Sequence, residues 1–378
     1  MKEQKIIKLS FIIILSTIID ITFALPRFSI SNATSCIACH VNPTGAGMRN
    51  SYGNDIVSLE ELPLKKWIQK GEENWDGYIT DEIQLGGDIR LQGIQFNDTD
   101  STQTSAFFPM QTDIYLNMNL NENSSLFTKL GIQGKNNLNM EYWVLIKDLP
   151  FNSWVKIGRT MPNYGMKIDD HTSFTRGGNF NRSKIGLNKE NPSEPEGLIF
   201  GPYLASPILI EHGISITKKM ELTYSISTSI INNLSEKMDN FSAKFIFYGN
   251  SFNTLNSRMS FNYMNERNFM MFGLSGGLSI NRHTFSFAID QANNWIDNAT
   301  SIALFNEYSW EYTQGIHFIA KYDFFDPRLN IKNGSINRYS LGIEIYPINI
   351  MEIKLQTRIS EAIDKQKPEF LIQTHFYF

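Results

Sequence analysis

The chain has 378 residues, 42% of them hydrophobic and 13% aromatic, with a net charge of -4. This length suits one large domain or two medium ones, and the slightly acidic balance argues against a nucleic-acid partner. Abundant aromatic residues, together with plentiful Asn, Ser and Ile, favour strands and turns over helices.

The N-terminus has the pattern of a secretory signal peptide. Three lysines within the first eight residues precede an apolar run over residues 11–19, and small residues at Thr22 and Ala24 mark a cleavage site. A transmembrane anchor is the alternative, but a spanning helix needs about 20 apolar residues and Asp20 interrupts this run. We therefore predict export, with residues 1–24 removed.

Both cysteines of the chain fall in the pentapeptide Cys36-Ile37-Ala38-Cys39-His40. This spacing is typical of c-type haem attachment, in which two thiols add to the vinyl groups and the next histidine becomes an axial iron ligand. A thioredoxin-type pair needs a βαβ setting, zinc needs further nearby ligands, and a plain disulfide leaves the histidine unexplained. We predict one haem c, bound covalently by Cys36 and Cys39, with His40 as proximal ligand of the iron.

Met48 is a candidate for the distal iron ligand. It lies eight residues beyond His40, and an extended chain covers about 3.3–3.6 Å per residue, so its sulfur can reach round the edge of the ring. His/Met ligation would raise the reduction potential relative to two imidazoles. The alternative is that Met48 packs under the ring.

The residues that follow the motif form a short segment rather than a domain. One proline and three glycines over residues 41–53 favour a tight wrapping loop. The segment has about 30 residues, and a domain of fewer than roughly 40 residues usually needs a covalent or metal crosslink, or a partner, to be stable. We predict a haem segment over residues 25–54 and a linker over residues 55–80. The linker contains a short amphipathic helix within residues 58–71, interrupted at Pro63.

Apolar and polar residues alternate along most of the remaining chain. The clearest case is residues 338–347, where Tyr339, Leu341 and Ile343 alternate with polar or small residues. A period of two predicts strands with one apolar and one polar face. We place sixteen strands, near residues 82–97, 111–120, 125–134, 139–147, 152–160, 207–217, 221–230, 242–249, 257–265, 270–280, 282–291, 300–308, 313–323, 337–347, 350–360 and 368–378.

The gaps between these strands alternate between short and long. Residues 121–124 and 148–151 are short connections, whereas residues 97–110, 161–206 and 324–337 are long ones. A soluble sandwich can also show alternation, but short turns on one side, longer loops on the other and an even strand count are typical of outer-membrane barrels. We predict an all-β fold: a transmembrane antiparallel β-barrel of about 16 strands over residues 81–378, preceded by the haem segment.

The longest gap, residues 160–206, follows the fifth strand. In the sixteen-stranded general porins, which this layout resembles, the corresponding loop folds into the lumen, and sixteen strands leave an aqueous channel. The loop contains His171, an alternative distal ligand if the loop enters the lumen; otherwise it is a solvated loop histidine. A G-x-S-x-G match at residues 273–277 lies inside an alternating strand, so we predict no nucleophile elbow there.

The whole pattern resembles the fused monohaem cytochrome-porins of iron-oxidising and related bacteria. The resemblance rests on Arg27-Phe28 ahead of the cysteine motif, on Asn42-Pro43 and Tyr52-Gly53 after it, and on the barrel-like remainder. It implies a haem lodged in or under an outer-membrane barrel. That haem would pass electrons from an extracellular donor such as Fe(II) to a periplasmic cytochrome or other redox carrier.

The main expectation is therefore haem electron transfer across a bacterial outer membrane, with lipid around the barrel. Oxidation of ferrous iron is implied only by the resemblance. One alternative is a passive porin whose haem segment is a plug or redox sensor. Another is a haem enzyme that acts on a small molecule at an open iron coordination position.

Overall fold

The fold is a closed antiparallel barrel of sixteen strands, in which each strand pairs with its neighbours in sequence and β1 pairs with β16. This confirms the predicted fold class. In a computed structural model, the strands are β1 (Ile83–Asn97), β2 (Gln103–Asn121), β3 (Ser124–Gln133), β4 (Asn137–Leu149), β5 (Ser153–Arg159), β6 (Ile208–Thr217), β7 (Met220–Ser227), β8 (Asn240–Ser251), β9 (Leu255–Glu266), β10 (Phe269–Ile280), β11 (His283–Asn293), β12 (Thr300–Thr313), β13 (Ile316–Asp326), β14 (Ile336–Ile348), β15 (Met351–Ala362) and β16 (Lys365–Tyr377).

The structure describes part of the chain around and inside this barrel. The described residues are 26–31, 35–64, 75, 77–97, 103–133, 137–168, 170, 172–178, 197–198, 207–227, 240–251, 255–266, 269–295, 298–332, 334–362 and 365–378. The predicted signal peptide lies outside them. Within them, no helix has the length and apolar character needed to cross a membrane.

The second strand is the one whose start differs most from the prediction. β2 begins at Gln103 rather than at residue 111. Pro109 lies in this early part, opposite Leu91, where the pairing with β1 shifts register. A bulge accommodates a proline because the ladder is already interrupted there.

The barrel wall is apolar outside and polar inside. On β13, Phe318 points outward and is 39% exposed, whereas Lys321 and Asp323 on the other face are buried. Serines, asparagines and charged residues line the inner face of the other strands in the same way. An outer surface of this kind is stable in lipid, and ring closure pairs the backbone groups of every strand.

The two ends of the barrel differ in the length of their connections. At the turn end, defined by the turns between β2 and β3, β4 and β5, and the later pairs through β14 and β15, only two or three residues join the strands. Left-handed backbone conformations at Asn152, Asn281 and Gly315 make three of these turns tight. The opposite loop end carries the longer connections, as the gap pattern predicted.

The described residues 26–31 and 35–64 enter the barrel and form a lumen plug. The plug contains helices α1 (Pro26–Ser31) and α2 (Cys36–Cys39), followed by α3 (Tyr52–Glu61), which has π geometry. α3 begins earlier than the helix predicted within residues 58–71, and it crosses the predicted boundary between haem segment and linker. Residues 65–74 lie outside the described residues.

The plug is fixed to the lumen wall along its length. The side chain of Arg27 forms an ion pair with Glu344 and donates to the Tyr346 hydroxyl at 2.9 Å. Near the end of α1, Ile30 is fully buried against Gly277 of β10, where a Cβ atom would lie 2.1 Å from Ile30 Cδ1. The small residue at position 277 therefore makes the socket for Ile30.

We predict that Ile30→Asp loosens the plug, because it replaces the fully buried apolar side chain that fills the socket at Gly277 with a shorter, polar one. Limited trypsin digestion of the folded barrel should then cleave after Arg27 or Arg49. Ile37→Asp is the matched control, since Ile37 belongs to the same plug but is 40% exposed. Equal protease resistance of the two variants would contradict the socket.

Candidate haem site

The cysteine motif lies inside the barrel as a single helical turn. No disulfide joins Cys36 and Cys39, and His40 follows directly at the C-cap of α2. Cys36 and His40 line a cavity between the plug and the barrel wall, while Cys39 packs against Val57 and Tyr346. The folded chain thus places Cys36 and His40 at the edge of one cavity and Cys39 beside it, against the wall.

The imidazole of His40 is oriented by the backbone that follows it. Its Nδ1 lies 3.2 Å from the carbonyl oxygen of Gly47, and His40 pairs with Arg49 as a short antiparallel bridge. A tautomer that donates from Nδ1 to this carbonyl keeps the lone pair of Nε2 for a metal. Burial and the guanidinium of Arg49 lower the pKa of His40 to about 4, so the ring is neutral at neutral pH.

Residues 41–48, which we call the haem loop, are shaped by their own side chains and glycines. The Asn42 carboxamide donates to Gly45 O at 3.2 Å and accepts from the Thr44 hydroxyl at 3.0 Å. Gly45, Ala46 and Gly47 all have positive φ angles, which glycine adopts most readily. A Cβ atom at Gly45 would lie 3.1 Å from Cys36 Sγ and 3.9 Å from the His40 ring.

The barrel wall holds the first half of the haem loop through Lys156 of β5. Its ammonium group donates to Asn42 Oδ1 at 3.1 Å and pairs with Glu211 of β6 at 2.7 Å. Lys156 and Glu211 are both fully buried. Because the carboxylate compensates the ammonium charge, the lysine can serve as a rigid anchor in this dry part of the lumen.

The loop between β5 and β6, which we call the lumen loop (residues 160–207), holds the haem loop from another side. Lys167 donates to Gly45 O at 2.9 Å and to the Thr44 hydroxyl at 3.3 Å. Burial and the neighbouring Lys156 lower the pKa of Lys167 to about 8. The lumen loop therefore contacts the haem loop directly.

The same lumen loop spans the barrel to the opposite wall. Tyr164 donates to Asp290 of β11 at 2.8 Å, Asp170 pairs with Lys321 of β13 at 3.4 Å, and Arg358 of β15 donates to the Thr172 hydroxyl at 2.5 Å. The loop thus folds into the lumen, in agreement with the prediction. His171 lies outside the described residues.

A row of stacked aromatic side chains backs the haem loop. Phe127 of β3 stacks on Trp143 of β4 with ring centroids 4.4 Å apart, and Tyr115 of β2 lies 6.0 Å from Phe127. Met48 is 3% exposed and packs into this row. Met48 directly follows Gly47, whose carbonyl faces Nδ1 of His40, so the structure places it beside that carbonyl and within the wall cluster.

The cavity beside the motif has a volume of about 280 Å³ and is lined by residues of the plug, the lumen loop and the wall. This size is close to that of the smaller ligand pockets of proteins. Ten lysines and arginines line it against seven aspartates and glutamates, although the whole chain has a net charge of -4. The Cys36 thiol at the cavity, the Cys39 thiol three residues along the chain, the oriented neutral imidazole and the excess of cations are the features that a covalently bound haem with anionic propionates would need.

Sequence reasoning identified the motif but missed Lys156, Lys167 and Tyr115. Alternation predicts that Lys156 and Tyr115 face the lumen, yet it carries no information about which lumen residue meets the haem loop. Elsewhere among the described residues, no group of three or more His, Cys, Asp or Glu side chains is placed to hold a metal ion.

Comparison with solved structures identifies outer-membrane porins as similar folds. The anion-selective porin from Comamonas acidovorans is 8% identical with a TM-score of 0.53, and the match covers 78% of this chain and 99% of that chain. The outer-membrane channel DcaP of Acinetobacter baumannii is 9% identical with a TM-score of 0.53, covering 80% and 99%. OmpF of Salmonella typhi is 10% identical with a TM-score of 0.54, covering 78% and 97%.

These similarities establish the porin fold for the barrel. No protein-family model and no curated protein sequence matches the chain.

We predict that Lys156→Met destabilises the barrel by about 3–5 kcal/mol, because it leaves the fully buried Glu211 carboxylate without its cation. Unfolding in urea, followed by tryptophan fluorescence, measures the change. The double variant Lys156→Met/Glu211→Leu removes both charges and should recover most of the loss. A single variant as stable as the parent would show that the pair contributes nothing.

Proposed function

We propose that this protein is a bacterial outer-membrane barrel that carries one haem c in its lumen and transfers electrons between the two sides of the membrane. The observation that supports it best is the placement of the cysteine motif: Cys36 and His40 line an enclosed cationic cavity of the lumen, and the carbonyl of Gly47 orients the imidazole. The haem supplies a one-electron couple when it is bound.

The residues of the chain have distinct roles in this proposal. Cys36 and Cys39 would hold the ring through thioether bonds, and His40 would ligate the iron through Nε2. The haem loop would hold the imidazole in one orientation through the carbonyl of Gly47, which faces His40 Nδ1 at 3.2 Å. The aromatic row supports that position, because a Cβ atom at Gly47 would lie 3.4 Å from the ring of Tyr115.

The depth of the site in the barrel indicates how partners would reach it. Lys156, which anchors the haem loop, is three residues from the start of β5 at Ser153, or roughly 10 Å along the strand. That is short against a hydrocarbon thickness of about 30 Å. A periplasmic cytochrome or other redox carrier would therefore dock at the turn end, and the extracellular donor or acceptor would enter from the loop end.

Ferrous iron is our proposed extracellular donor, by resemblance to the cytochrome-porins. The support is the match of the N-terminal motif together with a plug seated inside a barrel of porin fold. No residue of this chain matches an iron-binding motif of that family. The proposal therefore assigns the donor by analogy and the haem site by geometry.

A passive porin is the second candidate, because the fold comparisons match channel proteins. In that case the haem segment would act as a plug or redox sensor. The plug and the lumen loop both cross the lumen, and each makes polar contacts with several strands. This packing narrows the lumen, and the described part of the N-terminal segment has the position of a plug.

Reconstituted vesicles separate the two candidates. With an enclosed cytochrome c as acceptor, we expect external ferrous iron to reduce it through the wild-type protein. The Cys36→Ala/Cys39→Ala variant should not support reduction, because it cannot attach the haem. Absorbance of the enclosed cytochrome measures the rate, and release of an enclosed small dye measures leakage. Dye release without reduction would support the porin and contradict the conduit.

Met48 and His171 are our proposed distal ligands. Met48 would have to turn out of the aromatic row to reach iron, whereas His171 belongs to the lumen loop that crosses the cavity. We expect that replacing the ligating residue converts a low-spin haem spectrum to a high-spin one. Met48→Leu preserves packing in the wall cluster and His171→Ala removes the loop imidazole, so comparing their absorption spectra identifies the ligand. Unchanged low-spin spectra in both variants would contradict both assignments.

A further inference from the structure

We infer that Lys167 of the lumen loop sets the reduction potential of the haem by placing a positive charge against the attachment site. This inference rests on the proposed haem function and adds to it a residue far from the cysteine motif in sequence. Lys167 is a positioning residue in this inference, because it binds the haem loop and would act on the haem through its charge.

A single residue, Gly45, lies between the ammonium group of Lys167 and the proposed haem-binding residues Cys36 and His40. Lys167 Nζ lies 2.9 Å from Gly45 O. Gly45 in turn fits so closely against the motif that a Cβ atom there would lie 3.1 Å from Cys36 Sγ and 3.9 Å from the His40 ring. The ammonium group of Lys167 is therefore bound to a residue that lies close to both Cys36 and His40.

Among the described residues, Lys167 differs from two nearby lysines in its partners. Lys156 pairs with Glu211 at 2.7 Å, and Lys129 pairs with Glu141 at 2.6 Å. The hydrogen-bond partners of Lys167 are a carbonyl and a hydroxyl, which are neutral, as are those of Lys244 in the same cavity. Of these cations, Lys167 is the one that binds the haem loop without a carboxylate partner.

Burial and the repulsion from Lys156 lower the pKa of Lys167 to about 8. Because this value is above neutral pH, most of the side chain remains protonated at pH 7. The charge is therefore present under the conditions in which the protein would work.

A positive charge near the iron favours the reduced haem, which carries one positive charge less than the oxidised form. At roughly 10 Å and an effective dielectric constant near 20, removing a unit charge changes the ratio of reduced to oxidised haem about tenfold. Loss of the Lys167 charge should therefore lower the potential and make the haem harder to reduce.

Spectroelectrochemical titration of the full-length holoprotein in detergent tests this. At the wild-type midpoint, we expect the ratio of reduced to oxidised haem to fall about tenfold in Lys167→Gln, which retains a hydrogen-bond donor but has no charge. Lys167→Arg, which keeps the charge, should stay close to the wild type. An unchanged midpoint in Lys167→Gln, or an equal fall in Lys167→Arg, would overturn the inference.

Lys321→Met/Asp170→Asn is the matched control. Lys321 also contacts the lumen loop, pairing with Asp170 at 3.4 Å and with Glu307 at 3.2 Å, so the double variant removes one charge of each sign and leaves the net charge of the cavity unchanged. We expect a smaller shift of the midpoint than in Lys167→Gln, and a shift as large would overturn the assignment to Lys167. A wild-type protein without a c-type haemochrome spectrum would refute the proposed function itself, whereas intact haem with an unchanged Lys167→Gln midpoint refutes only this inference.

Discussion

The haem loop depends on atoms that lie outside its own segment. A segment of about 30 residues is too short to build a hydrophobic core that would fix a ligand loop, so the barrel supplies the fixed points. Lys156 holds Asn42, Lys167 holds Gly45, and the ring of Tyr115 lies against Gly47. The orientation of the His40 imidazole follows from these contacts, because the carbonyl that faces Nδ1 belongs to the last of the three anchored residues.

Closure of the barrel makes such a site physically feasible. A ring of paired strands satisfies the backbone in lipid, and it leaves an interior whose side chains never meet hydrocarbon. Charged residues can then be buried in pairs, as Lys156 is with Glu211 and Arg358 is with Glu369. Ion pairs that cross from wall to plug, such as Arg27 with Glu344, tie the inserted segments to the scaffold. The lumen is thus both polar and rigid.

The sequence predicted the features whose signals are local. Strand positions follow from a period of two, and the cysteine–histidine motif is five consecutive residues, so both could be read without knowing any long-range contact. The contacts of the plug could not. Ile30 and Gly277 are far apart in the sequence, although they are in contact in the fold. Nothing in the alternation of β10 shows that the glycine there makes room for Ile30. The G-x-S-x-G match is explained in the same way, because Gly273 leaves room for Tyr164 of the lumen loop and Gly277 leaves room for Ile30. The helix after the motif was misplaced because its apolar positions resemble a regular amphipathic helix, whereas the observed turn has π geometry.

The plug and the lumen loop also constrain what can move through the barrel. The two segments meet at the hydrogen bonds from Lys167 to the haem loop, so displacing either one disturbs the surroundings of the motif. A channel that opened by expelling its plug would therefore lose the orientation of His40 at the same time. An electron carrier would need no such opening, because both segments could stay in place during transfer. The contacts that narrow the lumen are thus also the ones that hold the imidazole of His40 in position.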